Sequence, residues 1–279
     1  MSRLFGRRWT ITIDTIQVTE LDMSFRCKKT IKPDPNTCEL TVYNLNAVNR
    51  AHLEELRPKK DALVGIPVKI EAGYADAQSL IWLGDLRTVE TKPDGSTWVT
   101  ELSSGDGEKA CKKARVSQSF GPATSPDTVL RALAHAMGIG VGNLEFFAQK
   151  QLFDSLARQI TSQGLVISGS AAKHLTRWAK SSNLEWSIQD GALQFTDRGK
   201  PLPGKILLLN SETGLIGTPT VDNEGLLTVT MLMIPDVLPG SLLVLDSERI
   251  KGNYRIREAE YEGDTSGQPW YITAVCERI

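Results

Sequence analysis

The sequence predicts a mainly β fold with an α+β insert. Three observations carry this. Apolar residues alternate with polar ones through most of the first 110 residues and again from about residue 200. Clusters of Pro, Gly, Asp and Asn punctuate both stretches where hairpins must turn. Only the middle of the chain combines helix-start signals with apolar residues at helical spacing over more than one turn pair. The expected organisation is residues 1–112, β with one short helix; 113–199, a small α+β region; and 200–279, β again.

In the first stretch Ile11 and Ile13 fall on odd positions but Ile16 and Val18 on even ones, so a bulge or break is expected at Asp14–Thr15. Leu21, Met23, Phe25 and Cys27 alternate, and so do Cys38, Leu40 and Val42, on either side of the turn-forming run Lys32 to Asn36. A helix follows from about Ala47 to Leu56, with Asn46 as N-cap and Arg57–Pro58 as its stop. Ile66, Val68, Ile70 and Ala72 resume the strand pattern. A second hairpin, Leu80 to Glu90 and Thr97 to Ser103, turns about Lys92 to Gly95.

In the middle, Thr124 to Asp127 reads as a helix start with Thr124 as cap and Pro126 in the first turn. Val129, Leu130, Leu133, Ala134 and Met137 make one apolar stripe, and Gly138 fits the stop. A second helix runs from about Ala171 to Ser181, capped by Ser170. The hairpin Leu184 to Ile188 and Leu193 to Thr196 turns at Asp190–Gly191. In the last stretch Leu227 to Met233 alternates, Pro235 and Pro239–Gly240 interrupt, Ser241 to Asp246 starts a strand, and Asn253 to Glu260 pairs with Trp270 to Glu277.

The stretch Thr37 to Leu45 (TCELTVYNL), then a helix, then Val68 to Tyr74 (VKIEAGY) resembles the first domain of baseplate hub proteins of contractile phage-type tails. Leu83 to Asp85 and Ser103 to Gly107 follow in the order that layout implies. So do Pro235 to Gly240, Leu242 to Leu245, Gly252 to Ile256, Gly263–Asp264 and Trp270 in the C-terminal part. One departure is Tyr261–Glu262, where relatives often carry a histidine. The resemblance implies two tube-like β-barrel domains flanking the small α+β region, related in architecture to type VI secretion spike hub domains. It further implies a homotrimer whose six similar domains form a ring between a hexameric tail tube and a trimeric spike. The implied partners are copies of itself, the tail-tube protein, the central spike and other baseplate proteins, with DNA passing transiently through the channel. The implied location is the virion, after assembly in the host cytoplasm. Alternatives are a tail-associated peptidoglycan-degrading enzyme and a tail-tube or tube-initiator protein.

The residues argue against other classes. The formal net charge is −1, so the chain as a whole has no pull toward nucleic acid or anionic lipid. No apolar run reaches bilayer length, stable membrane insertion is not expected, and no signal peptide is read at the N-terminus. Cys27, Cys38, Cys111 and Cys276 form no Cys-x-x-Cys pair and read as small buried thiols. Glu54–Glu55, Asp106 with Glu108, and Glu258, Glu260 and Glu262 could supply paired carboxylates for glycoside cleavage. The last three read instead as a solvated or salt-bridged face, partly offset by Arg255 and Arg257. His52, His135 and His174 have no zinc spacing, and Ser119, Ser168 and Ser170 lie in no nucleophile elbow. Gly138, Gly140 and Gly142 follow a helix, opposite to the order a dinucleotide loop needs. Two basic clusters, Arg3 with Arg7 and Arg8, and Lys109, Lys112, Lys113 and Arg115, read as arm or linker. Trp82, Trp98, Trp178, Trp186 and Trp270 read as core or interface anchors. No catalytic, cofactor-binding or metal-binding residue is expected, and no cofactor.

Overall fold

A computed structural model describes residues 6–56, 65–75, 77–149, 154–234 and 237–279. The elements are β1 (Arg7–Ile13), β2 (Ile16–Val18), β3 (Met23–Thr30), β4 (Asn36–Tyr43), α1 (Ala47–Glu55), β5 (Pro67–Tyr74), β6 (Ala77–Asp94), β7 (Thr97–Asp106), α2 (Glu108–Lys113), β8 (Arg115–Phe120), α3 (Pro126–Met137) and α4 (Leu144–Gln149). There follow α5 (Asp154–Gln163), β9 (Leu165–Ser170), α6 (Ala171–Ser181), β10 (Leu184–Gln189), β11 (Ala192–Asp197), β12 (Ile206–Leu209), β13 (Leu215–Val221), β14 (Leu227–Leu232), β15 (Leu242–Asp246), β16 (Lys251–Asp264) and β17 (Trp270–Arg278). The fold is mainly β, as the alternation predicts.

The chain forms two compact units. The first comprises Met1–Thr30, Thr37–Gly105 and Pro201–Ile279; the second comprises Ile31–Asn36 and Asp106–Lys200. Both β stretches therefore share the first unit. They are joined by β3 and β16, which pair antiparallel from Glu258 opposite Thr30 to Asp264 opposite Ser24. The result is a single thirteen-stranded sheet with the path β13-β14-β17-β16-β3-β4-β7-β6-β5-β1-β2, and with β12 and β15 branching from β16. Among the described residues no ladder links β13 to β2, so the pairing does not close into a barrel.

Alternation explains the core. On β3, Met23, Phe25 and Cys27 are buried while Arg26 and Lys28 point outward. On β4, Cys38, Leu40 and Val42 are buried, and Cys27 stands directly opposite Cys38. The phase change at Asp14–Thr15 is a tight hairpin: β2 folds back on β1, with Asp14 at φ 54°. Asn46 caps α1 by accepting from the Asn49 amide at 2.8 Å. The proposed stop at Arg57–Pro58 and the break at Pro235 lie outside the described residues. Two of the register shifts lie in long strands. β6 has a register shift at Leu86/Thr88 against β7, and β16 has one at Ile256/Glu258, where it passes from pairing with β15 to pairing with β3. Such bulges increase local twist and bend a strand.

The second unit has its own core, including Val129, Leu133, Phe147, Leu175, Trp178 and Phe195. α3 starts one residue later than the Thr124 cap implies. Ser125 accepts from the Thr128 amide, and Thr124 instead donates to the Gly121 carbonyl at 2.8 Å. Gly138 ends the helix in the left-handed region, and Ser170 caps α6. The basic run Lys109 to Lys113 is helical, in α2, rather than linker. Four further elements escaped the sequence reading here: the helices α4 and α5, and the strands β8 and β9, which among the described residues pair only with each other.

Candidate functional site

The outer face of β3 and β16 is a ladder of opposite charges. Glu258, Glu260 and Glu262 project at alternate positions of β16. Lys28 lies 3.1 Å from Glu258, Arg26 lies 2.8 Å from Glu260, and Arg26 also bonds Glu262. The three glutamates are thus a salt-bridged face, but their partners come from β3 rather than from Arg255 and Arg257. Those two arginines instead meet Glu277 on β17, at 3.0 and 3.7 Å. Each of the three carboxylates is ion-paired, with Arg26 shared by two of them.

The first unit carries an open cleft of about 510 Å3 between β13 and the β15–β16 turn, with Asp246 and Glu248 in its lining. Arg249 and Lys251 line it too, and Lys251 holds Asp246 at 2.7 Å. Among the described residues no three His, Cys, Asp or Glu side chains gather as a metal site. His52 bonds Asp14 at 3.2 Å, and His174 bonds the backbone carbonyl of Ser168, not a serine hydroxyl. Ser170 is occupied as a helix cap. No described helix is long and apolar enough to cross a membrane.

What the first unit presents instead is edge and exposed apolar side chain. Among the described residues β12 pairs only with β15, and it exposes Ile206 and Leu208 on one face. β13 ends the sheet path, exposes Ile216 and Val221, and contains Gly217 and Pro219 within an irregular ladder. Unpaired strand edges are templates for association, and Pro and bulges blunt them. Trp98 is 40% exposed and holds Arg50 4.1 Å over its ring, whereas Trp82, Trp178, Trp186 and Trp270 are buried anchors. Arg7 is no free arm. It donates to the carbonyls of Asp264, Gly267 and Gln268 and lies over the Trp270 ring, tying β1 to the β16–β17 turn. Arg3 lies outside the described residues. The edges of β12 and β13 were not distinguishable in sequence from ordinary strands.

The profile of the family described as baseplate hub gp41 matches residues 8–276. The chain belongs to this family. It is a structural protein of a phage tail. Among solved structures it is similar to the 43 kDa tail protein of prophage MuSo2 from Shewanella oneidensis, with TM-score 0.63 and 11% identity over 98% of this chain and 97% of that one. A tail protein from Neisseria meningitidis MC58 gives TM-score 0.60 and 11% identity over 98% of this chain and 97% of that one. The c3393 protein of E. coli, a component of the type VI secretion system, gives TM-score 0.57 and 9% identity over 96% of this chain and 76% of that one. At such identities these likenesses speak to fold. No curated protein matches by sequence.

Proposed function

We propose that this chain is a non-enzymatic hub subunit of the tail baseplate. Three copies form a ring that joins a hexameric tail tube to a trimeric spike and lines the channel through which DNA passes. Each β stretch acts as one tube-like domain, so three chains present six similar domains to the tube and threefold symmetry to the spike. The observation that carries this reading is the single sheet that unites both stretches through β3 and β16 while leaving β12 and β13 with open edges. Each half also contains one long strand with a register shift, β6 in the first and β16 in the second. A closed ring would cover the open edges. The partners are further copies, the tail-tube protein, the central spike and neighbouring baseplate proteins, with assembly in the host cytoplasm before incorporation in the virion.

The native mass of the purified protein, alone and mixed with its spike partner, tests the ring. A trimer is expected. A hexamer would favour a tube-forming protein. A chain that stays monomeric with the spike would overturn the ring, and peptidoglycan hydrolysis would then be assayed.

A further inference from the structure

The second unit holds an open trough of about 940 Å3. Lys112 and Arg115 line it from α2 and β8, and Lys173, Arg177 and Lys180 line it from α6. Among the described residues no carboxylate lines it. Lys112 is paired with Glu108 at 2.7 Å, but Arg115, Lys173, Arg177 and Lys180 make no ion pair among the described residues. The imbalance extends to the unit. Residues 31–36 and 106–200 contain 13 lysines and arginines against 9 aspartates and glutamates, although the whole chain is −1.

The spacing on α6 is one face of a helix. Positions 173, 177 and 180 are separated by four and three residues, so their charges stack about 6 and 4.5 Å apart along the axis. Like charges at these spacings repel and weaken a helix on their own. His174 fixes the middle one. The Ser168 carbonyl can only accept, so Nε2 donates to it at 3.0 Å; Nδ1 is then the acceptor for Arg177 Nη2 at 3.5 Å. A guanidinium within reach of an imidazole nitrogen, inside a basic row that faces no carboxylate among the described residues of the trough, offers an anionic partner several donors.

The rest of the lining selects among anions. Pro33, Ala172 and Trp186 contribute apolar surface beside the cations. Duplex nucleic acid would offer phosphates and sugars, with nothing to place on that surface. Single strands gain affinity by stacking bases on open aromatic faces. Trp186 is 3% exposed, and its indole N–H is taken by Thr176 Oγ1 at 3.1 Å. An acidic peptide supplies both carboxylates and an apolar side chain. We propose that the trough binds an acidic peptide segment of a partner protein, with carboxylates on Arg115, Lys173, Arg177 and Lys180 and an apolar side chain against Pro33 and Ala172. The trough lies within one unit, so this holds or fails independently of the ring.

Fluorescence anisotropy with the full-length protein tests it. The probes are a labelled glutamate-rich peptide with interspersed leucines, the same peptide with serine for leucine, and a DNA duplex of matched charge. The leucine peptide is expected to bind most tightly, and Lys173→Glu with Arg177→Glu to weaken it by about tenfold or more. Both positions are exposed, and thermal unfolding checks that the fold survives. Arg115→Glu with Lys180→Glu repeats the test from other positions. Equal binding of the serine peptide, tighter binding of the duplex, or no binding at all would each overturn the proposal.

Discussion

Arg255 and Glu277 stand directly opposite one another on β16 and β17, and the guanidinium donates to the carboxylate at 3.0 Å. The two ends of this pair differ in burial: the Arg255 side chain is 1% exposed and the Glu277 side chain 27%. Glu277 also has Arg257 at 3.7 Å. Removing either partner should therefore have unequal effects. Arg255→Met takes a charge out of the interior and leaves Glu277 with Arg257 and water, for an expected loss below about 1 kcal/mol. Glu277→Ala strips this carboxylate from a buried cation, for an expected loss of about 2–3 kcal/mol after allowance for the partial exposure of the glutamate. Urea unfolding of the two variants measures the difference. Equal losses would mean that solvent reaches Arg255.

The β3–β16 ladder should respond to charge reversal. Arg26→Glu with Lys28→Glu would set like charges against Glu258, Glu260 and Glu262 on the one ladder that joins the two β stretches. The basic side chains are more than half exposed and the acidic ones a third or less, so the expected loss is modest, about 1–2 kcal/mol. It should shrink in high salt, where the Debye length falls to about 3 Å. Denaturation at low and high ionic strength decides this. A loss that salt leaves unchanged would place the effect in packing instead.

Strands with one buried face were legible because burial alternates with a fixed period. β3 and β4 were legible as a hairpin with one buried face, although the Cys27–Cys38 opposition was not read from it. Elements that bury little were not. β8 has only Val116 and Phe120 buried, and β13, with Gly217 and Pro219, reads as loop. The short helices α2 and α4 are one and a half turns each, too brief for a stripe to repeat. Partners across a ladder are a matter of topology. Nothing near Glu258 announces that Lys28 will lie beside it, which is why Arg255 and Arg257 were the wrong counterions. The basic trough was half visible: Lys112 and Arg115 were noted as a cluster, but α6 had to fold beside them before the cluster became a site.

Cys27, Cys38 and Cys276 are buried as expected, whereas Cys111 is only partly so, and the shielded thiols predict a loss of stability in alkali. Burial, with Glu277 adding to it, pushes the Cys276 thiol from an ordinary 9.0 up to about 12. Burial likewise raises Cys38 well above its ordinary value, with the Cys27 thiol, its sulfur 2.7 Å away, next in importance. Cys111 rises to about 11, mainly through burial and then through Asp106 and Asp34. Each folded value is raised, so the unfolded chain loses its proton first as pH climbs. The stabilisation is whole below pH 9.0 and is lost as pH rises toward about 12 for Cys276. Cys276→Ala should be less stable at neutral pH, yet lose less stability across that window. Its slope should be shallower by about 1.4 kcal/mol per pH unit. Parallel curves for the two proteins would mean that the Cys276 thiol ionises freely in the fold.

Gly138 and Gly142 bracket the turn after α3, and both have positive φ, 69° and 49°. Their surroundings differ. A Cβ on Gly138 would meet open space, whereas one on Gly142 would lie 2.0 Å from the Leu193 carbonyl oxygen of β11. Between them Gly140 pairs with the same hairpin, its amide on the Gly191 carbonyl and its carbonyl receiving the Leu193 amide, both at 2.8 Å. The segment is thus stitched to β11 and has no freedom to retreat from a new methyl group at Gly142. Gly138→Ala should cost only the backbone strain, about 1 kcal/mol. Gly142→Ala adds a clash with fixed backbone to the same strain and should cost about 3 kcal/mol or more. The second unit has a core of its own, so the loss should register in probes of that unit, such as fluorescence of Trp178 and Trp186, before those of the first. Equal costs at the two glycines would mean that the turn peels from β11 without penalty, and the stitching through Gly140 would then contribute little to the unit's stability.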